Sequence, residues 1–297
     1  MVELDCPRDR DSHTLADYAE LLCLLNMDRF CSRESIRDRM RDVGDTQVGD
    51  NELEDCFLQL AWRVQAFGEA YPFALPPGRA LHAPDDLSDW QRLYVLLLLC
   101  ANLPFVRQAT SALTSAFERI ALRALTAIWP SAGTVRPFSQ PQADYTGTKW
   151  ERINRLATDI GGRGVCTPET FRAHDSGDGG IDLMAALPLD AHETRNIPSL
   201  LGQCACSRSQ WVNKQMEIAN DRLGNQIHAT HPWMQALMIP QSFRDSGGRW
   251  AVEGDVARII LLDRLRILQP LGPVVDWDAI EPPPYLNEFL AERLPLV

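Results

Sequence analysis

The sequence predicts an α/β domain with a mixed central sheet, preceded by an all-helical N-terminal domain. Apolar residues recur at helical spacing over about the first 130 residues. After that point, short strand-like runs alternate with helical segments. A Pro-rich break at residues 130–141 separates the two patterns. We therefore expect a helical domain at residues 1–135 and an α/β domain at residues 145–297.

The N-terminal part contains five helical candidates. In residues 14–26, leucine and tyrosine recur three or four positions apart. Ser32 is placed to cap the helix that follows it, and Gly44 ends that helix. The remaining candidates are residues 51–68, 87–101 and 109–129. The apolar run within the fourth helix is far shorter than the roughly 20 residues needed to cross a bilayer, so we expect a buried helix and no membrane contact.

The C-terminal part alternates between the two kinds of element. Residues 148–159 predict an amphipathic helix that ends before two glycines. Strands are predicted at residues 180–185, 199–206 and 233–239. A helix at residues 210–223 is predicted between the last two strands, with Ser209 as its cap and Gly224 as its end. The tail predicts a short helix at residues 254–260, then a turn and an edge strand at residues 261–268.

Charge and cysteine content narrow the classes of function. The chain carries 40 acidic and 29 basic residues, a net charge of −11. This balance counts against a protein that grips nucleic acid over its whole surface, although a local basic groove or a basic partner chain stays compatible with it. The N-terminus lacks the basic-then-apolar order of a secretion signal, and eight cysteines without a paired zinc pattern indicate reduced thiols. We therefore expect a cytoplasmic protein.

Oxygen-bearing side chains occur in three neighbouring predicted elements. Asp182 ends the Gly-rich motif GDGGID at residues 177–182, and Gln203 lies within the strand SLLGQCAC. Glu151 lies on the preceding helix. Carboxylate and amide oxygens are the ligands that Mg²⁺ accepts, and a bound ion acidifies water and stabilises the charge that develops at phosphorus. The pattern predicts a Mg²⁺ or Mn²⁺ site formed by Asp182, Gln203 and Glu151.

These motifs together resemble a known family. Trp150-Glu151, the run GDGGIDLMA at residues 177–185 and Gln203-Cys204 are similar to the Mrr-type restriction-endonuclease-like nucleases of the PD-(D/E)XK superfamily. The resemblance covers about residues 145–270. It implies a restriction-endonuclease-like fold, Mg²⁺-dependent cleavage of DNA, and catalytic roles for Glu151, Asp182 and Gln203. The expected protein is an effector of bacterial restriction or anti-phage defence that needs an activating protein partner, and a homo-oligomer is compatible with this.

One position departs from the family pattern. The family has a catalytic lysine two residues after the glutamine, and this chain has Ala205 there. The lysine has moved, or the protein is a non-cutting relative, or the chain is an inactivated variant. Lys214, on the helix predicted after the Gln203 strand, is the candidate for a moved lysine, and Glu217 would share its helix face. Lys149 and Lys214 are the only lysines in the chain.

Other interpretations stay open for each feature. Residues 177–180 could be an ordinary turn, Glu151 a solvated helix residue and Lys214 a surface lysine. For the whole protein, the first alternative is a catalytically silent binding or scaffold protein that keeps the nuclease fold. The second is a protein-interaction module in the helical N-terminal part, with the α/β domain serving only as structure.

Overall fold

A computed structural model describes residues 4–44, 47–76, 80–106, 109–138, 144–172, 177 and 179–295. The chain divides into two compact units, each assembled from separate stretches of sequence. Unit 1 comprises Met1–Arg119, Pro240–Gly254 and Asp263–Val297, and unit 2 comprises Ile120–Ile239 and Asp255–Leu262. The predicted domains, 1–135 and 145–297, are continuous stretches, whereas unit 1 includes most of the last 58 residues. Within the described part of the chain, no helix is both long and apolar enough to span a bilayer.

The described residues form the following elements. The helices are α1 (Ser12–Leu25), α2 (Arg33–Gly44), α3 (Asp50–Phe67), α4 (Asp89–Ala101), α5 (Thr110–Ile128), α6 (Lys149–Asp159), α7 (Trp211–Lys214), α8 (Asn220–Leu223), α9 (Arg264–Leu271), α10 (Trp277–Ile280) and α11 (Pro284–Ala291). The strands are β1 (Phe30–Cys31), β2 (Leu81–His82), β3 (Thr134–Pro137), β4 (Gly162–Gly164), β5 (Leu183–Ala186), β6 (Ser199–Cys204), β7 (Ile227–Ala229), β8 (Met234–Met238) and β9 (Ile260–Leu262).

The five helices predicted for the N-terminal part are confirmed as α1 to α5, within a residue or two at most of their ends. Ser32 caps α2 as expected, because its hydroxyl accepts a hydrogen bond from the Ser35 N–H at 3.1 Å. The sequence did not predict the short antiparallel pair of β1 and β2. Two residues per strand are too few to produce a periodic pattern.

Unit 1 contains a network of buried ion pairs. Arg63 of α3 lies 2.7 Å from both Asp17 and Glu20 of α1, and all three side chains are inaccessible or nearly so. Arg264 of α9 donates to Asp17 at 3.1 Å, and the hydroxyl of Tyr94 donates to Glu20 at 3.0 Å. Burial alone would lower the pKa of Arg63, but the carboxylates of Glu20 and Asp17 outweigh it and raise that pKa above its ordinary value. The network therefore links α1, α3, α4 and α9 through paired charges.

Unit 2 is built on a mixed five-stranded sheet with the order β3-β5-β6-β8-β9. Strands β3, β5 and β6 are antiparallel neighbours, whereas β6, β8 and β9 run parallel. Ile153 and Leu156 of α6 lie in one buried cluster with Met184 of β5 and Leu201 of β6. Helix α6 thus covers a face of the sheet, and the predicted α/β class with a mixed central sheet is confirmed. A separate antiparallel pair joins β4 to β7.

The predicted helix at residues 210–223 is wrong in its middle. The segment forms only α7 and α8, one turn each, with an irregular connection between them. The side chain of Gln215 bonds the carbonyl of Asp255 and the N–H of Ala257, and the Trp233 indole donates to the carbonyl of Ile218 at 2.9 Å. The Ile218 carbonyl is a group that a continuous helix would have used for itself, and the Gln215 bonds tie the segment to residues 255–257. Tertiary packing therefore outweighs helix propensity in this segment.

The predicted break and the predicted tail also differ from the structure. Strand β3 lies inside the break at residues 130–141, of which residues 139–141 fall outside the described part. In place of the helix predicted at residues 254–260, the structure has one 3₁₀ turn at Glu253–Asp255 and an irregular stretch that leads into β9 at Ile260. The edge strand predicted at residues 261–268 ends at Leu262, because the Asp263 carboxylate accepts the N–H of Arg266 and starts α9.

Replacing Arg63 by leucine should strongly destabilise unit 1. The substitution leaves two buried carboxylates short of a cation, which typically costs about 3–5 kcal/mol. Urea unfolding followed by tryptophan fluorescence measures the change. Glu54→Gln is the control, since it breaks an exposed pair with Arg33 and should alter stability by no more than about 1 kcal/mol. Equal effects of the two substitutions would contradict a stabilising role for the buried network.

Candidate functional site

Asp182 directly precedes β5 and lies beside the end of β6, which contains Gln203. The antiparallel register pairs Leu183 with Gly202 and Met184 with Leu201. The Asp182 N–H bonds the carbonyl of Gly202 at 2.9 Å and the Asp182 carboxylate accepts the N–H of Cys204 at 2.6 Å, so Asp182 contacts the residues on both sides of Gln203. The structure therefore brings together the two residues that the sequence analysis placed at the centre of the site.

The carboxylate of Asp182 is fixed at the end of β6. One of its oxygens, Oδ2, accepts the backbone N–H of Cys204 at 2.6 Å, and the side chain is 8% exposed. The backbone N–H of Asp182 bonds the carbonyl of Gly202 at 2.9 Å. Asp182 is thus held rigidly from both its backbone and its side chain. A carboxylate fixed in this way suits an ion site, where ligand geometry must be set before the ion arrives.

Gln203 is buried, and its amide is satisfied on one side only. Its Nε2 donates to the Glu217 carboxylate, whereas Oε1 has no hydrogen-bond partner among the described residues, and Gln203 is 2% exposed. A buried acceptor left without a partner costs about 1–3 kcal/mol. Such an oxygen is a neutral ligand suited to a hard cation. Gln203, which was predicted to hold a metal, therefore has a buried acceptor oxygen without a hydrogen-bond partner in the described part of the chain.

The Gly-rich turn before Asp182 packs against Gln203 and its hydrogen-bond partner Glu217. Gly179 and Gly180 have φ angles of 77° and 85°, in the left-handed region that favours glycine. A methyl group at Gly180 would also lie 2.5 Å from Glu217 Oε2 and 3.3 Å from Gln203 Nε2. Gly180 is thus required for its backbone conformation and for close approach. Asp178, the other acidic residue of the motif, lies outside the described residues.

Glu151 is committed to the start of α6. Its Oε2 accepts both the backbone N–H of Thr148 at 2.8 Å and the Thr148 hydroxyl at 2.7 Å. These bonds, first that of the hydroxyl and then that of the N–H, hold the pKa of the Glu151 carboxyl below its usual value. The side chain is exposed, and the arrangement is a capping box. A further role for Glu151 as a metal ligand stays a prediction.

The two lysines occupy different places in unit 2. Lys214 is the last residue of α7, is half-buried, and among the described residues its ammonium group has no hydrogen-bond or ion-pair partner. Lys149 begins α6, its Nζ lies 4.7 Å from the centre of the Phe171 ring, and its Cε lies 3.9 Å from where a Cβ on Gly179 would be. The approach of Lys149 to the Gly-rich turn was not predicted from the sequence.

Ala205 and Glu217 are the two remaining residues that bear on the candidate site. Ala205 is 1% exposed, and its N–H continues the ladder of β6 with β8 by bonding the carbonyl of Met238. A cation at the site must therefore come from another position. Glu217 was expected to share a face with Lys214 on one helix, which is wrong because α7 ends at Lys214. Its contact with Gln203 was missed, and no sequence signal marks it.

The donor set is small and consists of oxygen atoms. Asp182 offers a carboxylate and Gln203 an amide oxygen, a combination that fits Mg²⁺ or Mn²⁺ rather than a thiophilic ion. Among the described residues, no group of three or more histidine, cysteine or acidic side chains is placed to hold a metal. An ion here would depend on the amide oxygen, water and substrate for the rest of its ligands. Mg²⁺ is commonly bound in this way.

Comparison of the chain with models of protein families, with curated proteins and with solved structures found no match. The resemblance to Mrr-type nucleases therefore depends on the sequence motifs alone and stays a prediction.

Glu151→Ala should lower the thermal stability of the protein, because the N-terminus of α6 loses its capping acceptor. Glu151→Gln should retain most of the stability, since an amide oxygen can accept the same N–H. A depressed carboxyl pKa adds stability above its unfolded value and loses it as the pH falls through the folded pKa. The difference between the unaltered protein and Glu151→Gln should therefore vanish at acidic pH. Circular dichroism melts measure both effects, and an unchanged midpoint for Glu151→Ala would contradict the capping role.

Proposed function

We propose that unit 2 has a restriction-endonuclease-like fold and is a Mg²⁺- or Mn²⁺-dependent DNA endonuclease. The observation that carries the proposal is the placement of a fixed carboxylate, Asp182, beside the buried amide of Gln203, whose oxygen has no hydrogen-bond partner in the described part of the chain. Adjacent strands hold both groups, and a Gly-rich turn precedes the first. The biological role we propose is that of an effector in bacterial restriction or anti-phage defence.

Each residue has a defined part in this proposal. Asp182 and Gln203 hold the ion, and Glu151 supports it from the start of α6. Lys214 orients the attacking water and offsets negative charge in place of the lysine absent at Ala205. The ion, when bound, supplies an acidified water and neutralises the charge that develops on the phosphoryl group. The chain must hold these groups in place before substrate arrives, because preorganised charge is worth more than charge that has to rearrange.

The net charge of −11 bears on the substrate and the partner. DNA approaches an acidic surface against electrostatic repulsion, and salt screens that repulsion only in part. A basic activating protein that delivers the DNA would remove this barrier. The proposal therefore includes such a partner, and no measurement of cleavage is complete without testing the protein in its presence.

A second candidate function follows from Ala205. With a buried methyl group where the family has lysine, the fold could bind DNA or a partner without cutting. Calorimetry separates the two functions. Absence of Mg²⁺ and Mn²⁺ binding at millimolar concentration, with no cleavage in a cell extract that contains the natural partners, would favour the silent scaffold.

Asp182→Asn and Gln203→Leu should each weaken Mn²⁺ binding by more than roughly 100-fold, since loss of a ligand costs at least as much as loss of an outer-shell group. Isothermal titration calorimetry measures the affinity. Gln59→Leu is the matched control, because Gln59 of unit 1 is also a buried glutamine with an unbonded amide oxygen. Its substitution should leave Mn²⁺ affinity unchanged. Wild-type affinity in both Asp182→Asn and Gln203→Leu would show that the ion binds elsewhere.

Lys214→Met should slow cleavage of plasmid DNA by about 100-fold or more without altering Mn²⁺ affinity, because it removes a group that acts on the water rather than on the ion. Lys149→Met is the matched control, as it removes the only other lysine of the chain. Cleavage with saturating Mn²⁺, measured with and without a cell extract that contains the natural partners, gives the rate. If Lys149→Met abolishes cleavage and Lys214→Met does not, the role we propose for Lys214 belongs to Lys149.

A further inference from the structure

We infer that Glu217 is a positioning residue, which orients the Gln203 amide so that its oxygen is presented to the metal ion. This inference rests on the proposed function, because it concerns the same ion. Glu217 lies in the irregular connection between α7 and α8, fourteen residues after Gln203. Its carboxylate accepts the hydrogen bond from Gln203 Nε2.

The direction of the amide follows from this bond. The two ends of a glutamine amide differ in chemistry, since nitrogen only donates and oxygen only accepts. A carboxylate is acceptor-only when ionised, so it selects the Nε2 end and repels the oxygen. Because the amide is planar, holding Nε2 also sets the direction of Oε1. Glu217 thus determines which atom of Gln203 is left without a partner, and that atom is the oxygen.

The Gly-rich turn indicates that the pair of Glu217 and Gln203 belongs to the site. A methyl group on Gly180 would lie 2.9 Å from Glu217 Cβ, in addition to its conflict with the carboxylate oxygen. The turn that leads into Asp182 therefore packs directly on Glu217. A single substitution at position 180 would disturb the carboxylate, the amide and the approach to Asp182 together.

Outer-shell groups of this kind have a measurable effect. Partners that orient a ligand typically contribute 10–100-fold to metal affinity. The bond between Nε2 and an ionised carboxylate is charge-assisted and stronger than a bond between neutral groups. If Glu217 acts only as an acceptor for Gln203, a glutamine at position 217 can replace it through its own amide oxygen. If its negative charge is needed by the ion directly, glutamine cannot replace it.

The experiment compares three variants of the full chain: Glu217→Ala, Glu217→Gln and the control Asp221→Ala. Asp221 is an exposed carboxylate on α8, close in sequence to Glu217. Mn²⁺ affinity is measured by calorimetry. In the metal-free protein, NMR of glutamine-labelled samples follows the side-chain NH₂ signal of Gln203, assigned by its loss in Gln203→Leu. Circular dichroism melts verify that each variant is folded.

We expect Glu217→Ala to weaken Mn²⁺ binding by about tenfold or more and to shift the Gln203 NH₂ signal. Glu217→Gln should restore most of the affinity, and Asp221→Ala should change neither readout. Wild-type Mn²⁺ affinity in Glu217→Ala, or an unmoved NH₂ signal, would overturn the inference while leaving the metal site intact. Glu217→Gln binding as weakly as Glu217→Ala would overturn it in favour of a direct ligand. Absence of Mn²⁺ binding by the unaltered protein would instead overturn the proposed metal site, and this inference with it.

Discussion

The antiparallel register of β5 and β6 is the constraint on which the candidate site depends. With Leu183 opposite Gly202, Asp182 reaches the end of β6 and bonds the carbonyl of Gly202 and the N–H of Cys204, on either side of Gln203. A slip of one residue would turn Gln203 to the other face of the sheet. Gly202 contributes to this register, because a methyl group there would lie 3.2 Å from the Leu183 Cβ. The hydrogen bond from the Cys204 N–H to the Asp182 carboxylate then holds the Asp182 side chain against the end of β6.

Buried polar groups in the two units are satisfied to different degrees. In unit 1, the carboxylates of Asp17 and Glu20 lie against arginine side chains, and this pairing offsets part of the cost of burying charge. In unit 2, the amide of Gln203 is bonded at nitrogen, whereas its oxygen has no hydrogen-bond partner among the described residues. Within the same part of the chain, neither amide atom of the buried Gln59 in unit 1 has a partner, so no hydrogen bond orients that amide. Gln203 differs because its Nε2 is held by a hydrogen bond to Glu217. That bond also sets the direction of Oε1, the atom that a ligand would contact.

The sequence predicted local elements well and contacts between distant residues poorly. Helical spacing located α1 to α5, and the Gly-rich motif followed by apolar residues located β5, although the predicted start at residue 180 was three residues early. Asp182 and Gln203 could be paired in advance because each lies at a strand end with a clear signal. The contact of Glu217 with Gln203 could not, since it depends on where α7 stops, and that is decided by tertiary contacts of Gln215 and Trp233. The return of residues 263–297 to unit 1 likewise depends on Arg264, whose partners Asp17 and Tyr94 lie far away in the sequence.

The ligands of the proposed site bear on how tightly it would bind Mg²⁺. An amide oxygen in place of a third carboxylate lowers the negative charge around the ion, and therefore the affinity of the empty protein for Mg²⁺. Mg²⁺ keeps several waters and is commonly held by one or two carboxylates together with substrate phosphate. In a chain of net charge −11, the ion and the DNA would then bind cooperatively, because each neutralises charge that opposes the other. An ion site completed by its substrate keeps a nuclease inactive until DNA is delivered, which accords with a protein that depends on an activating partner.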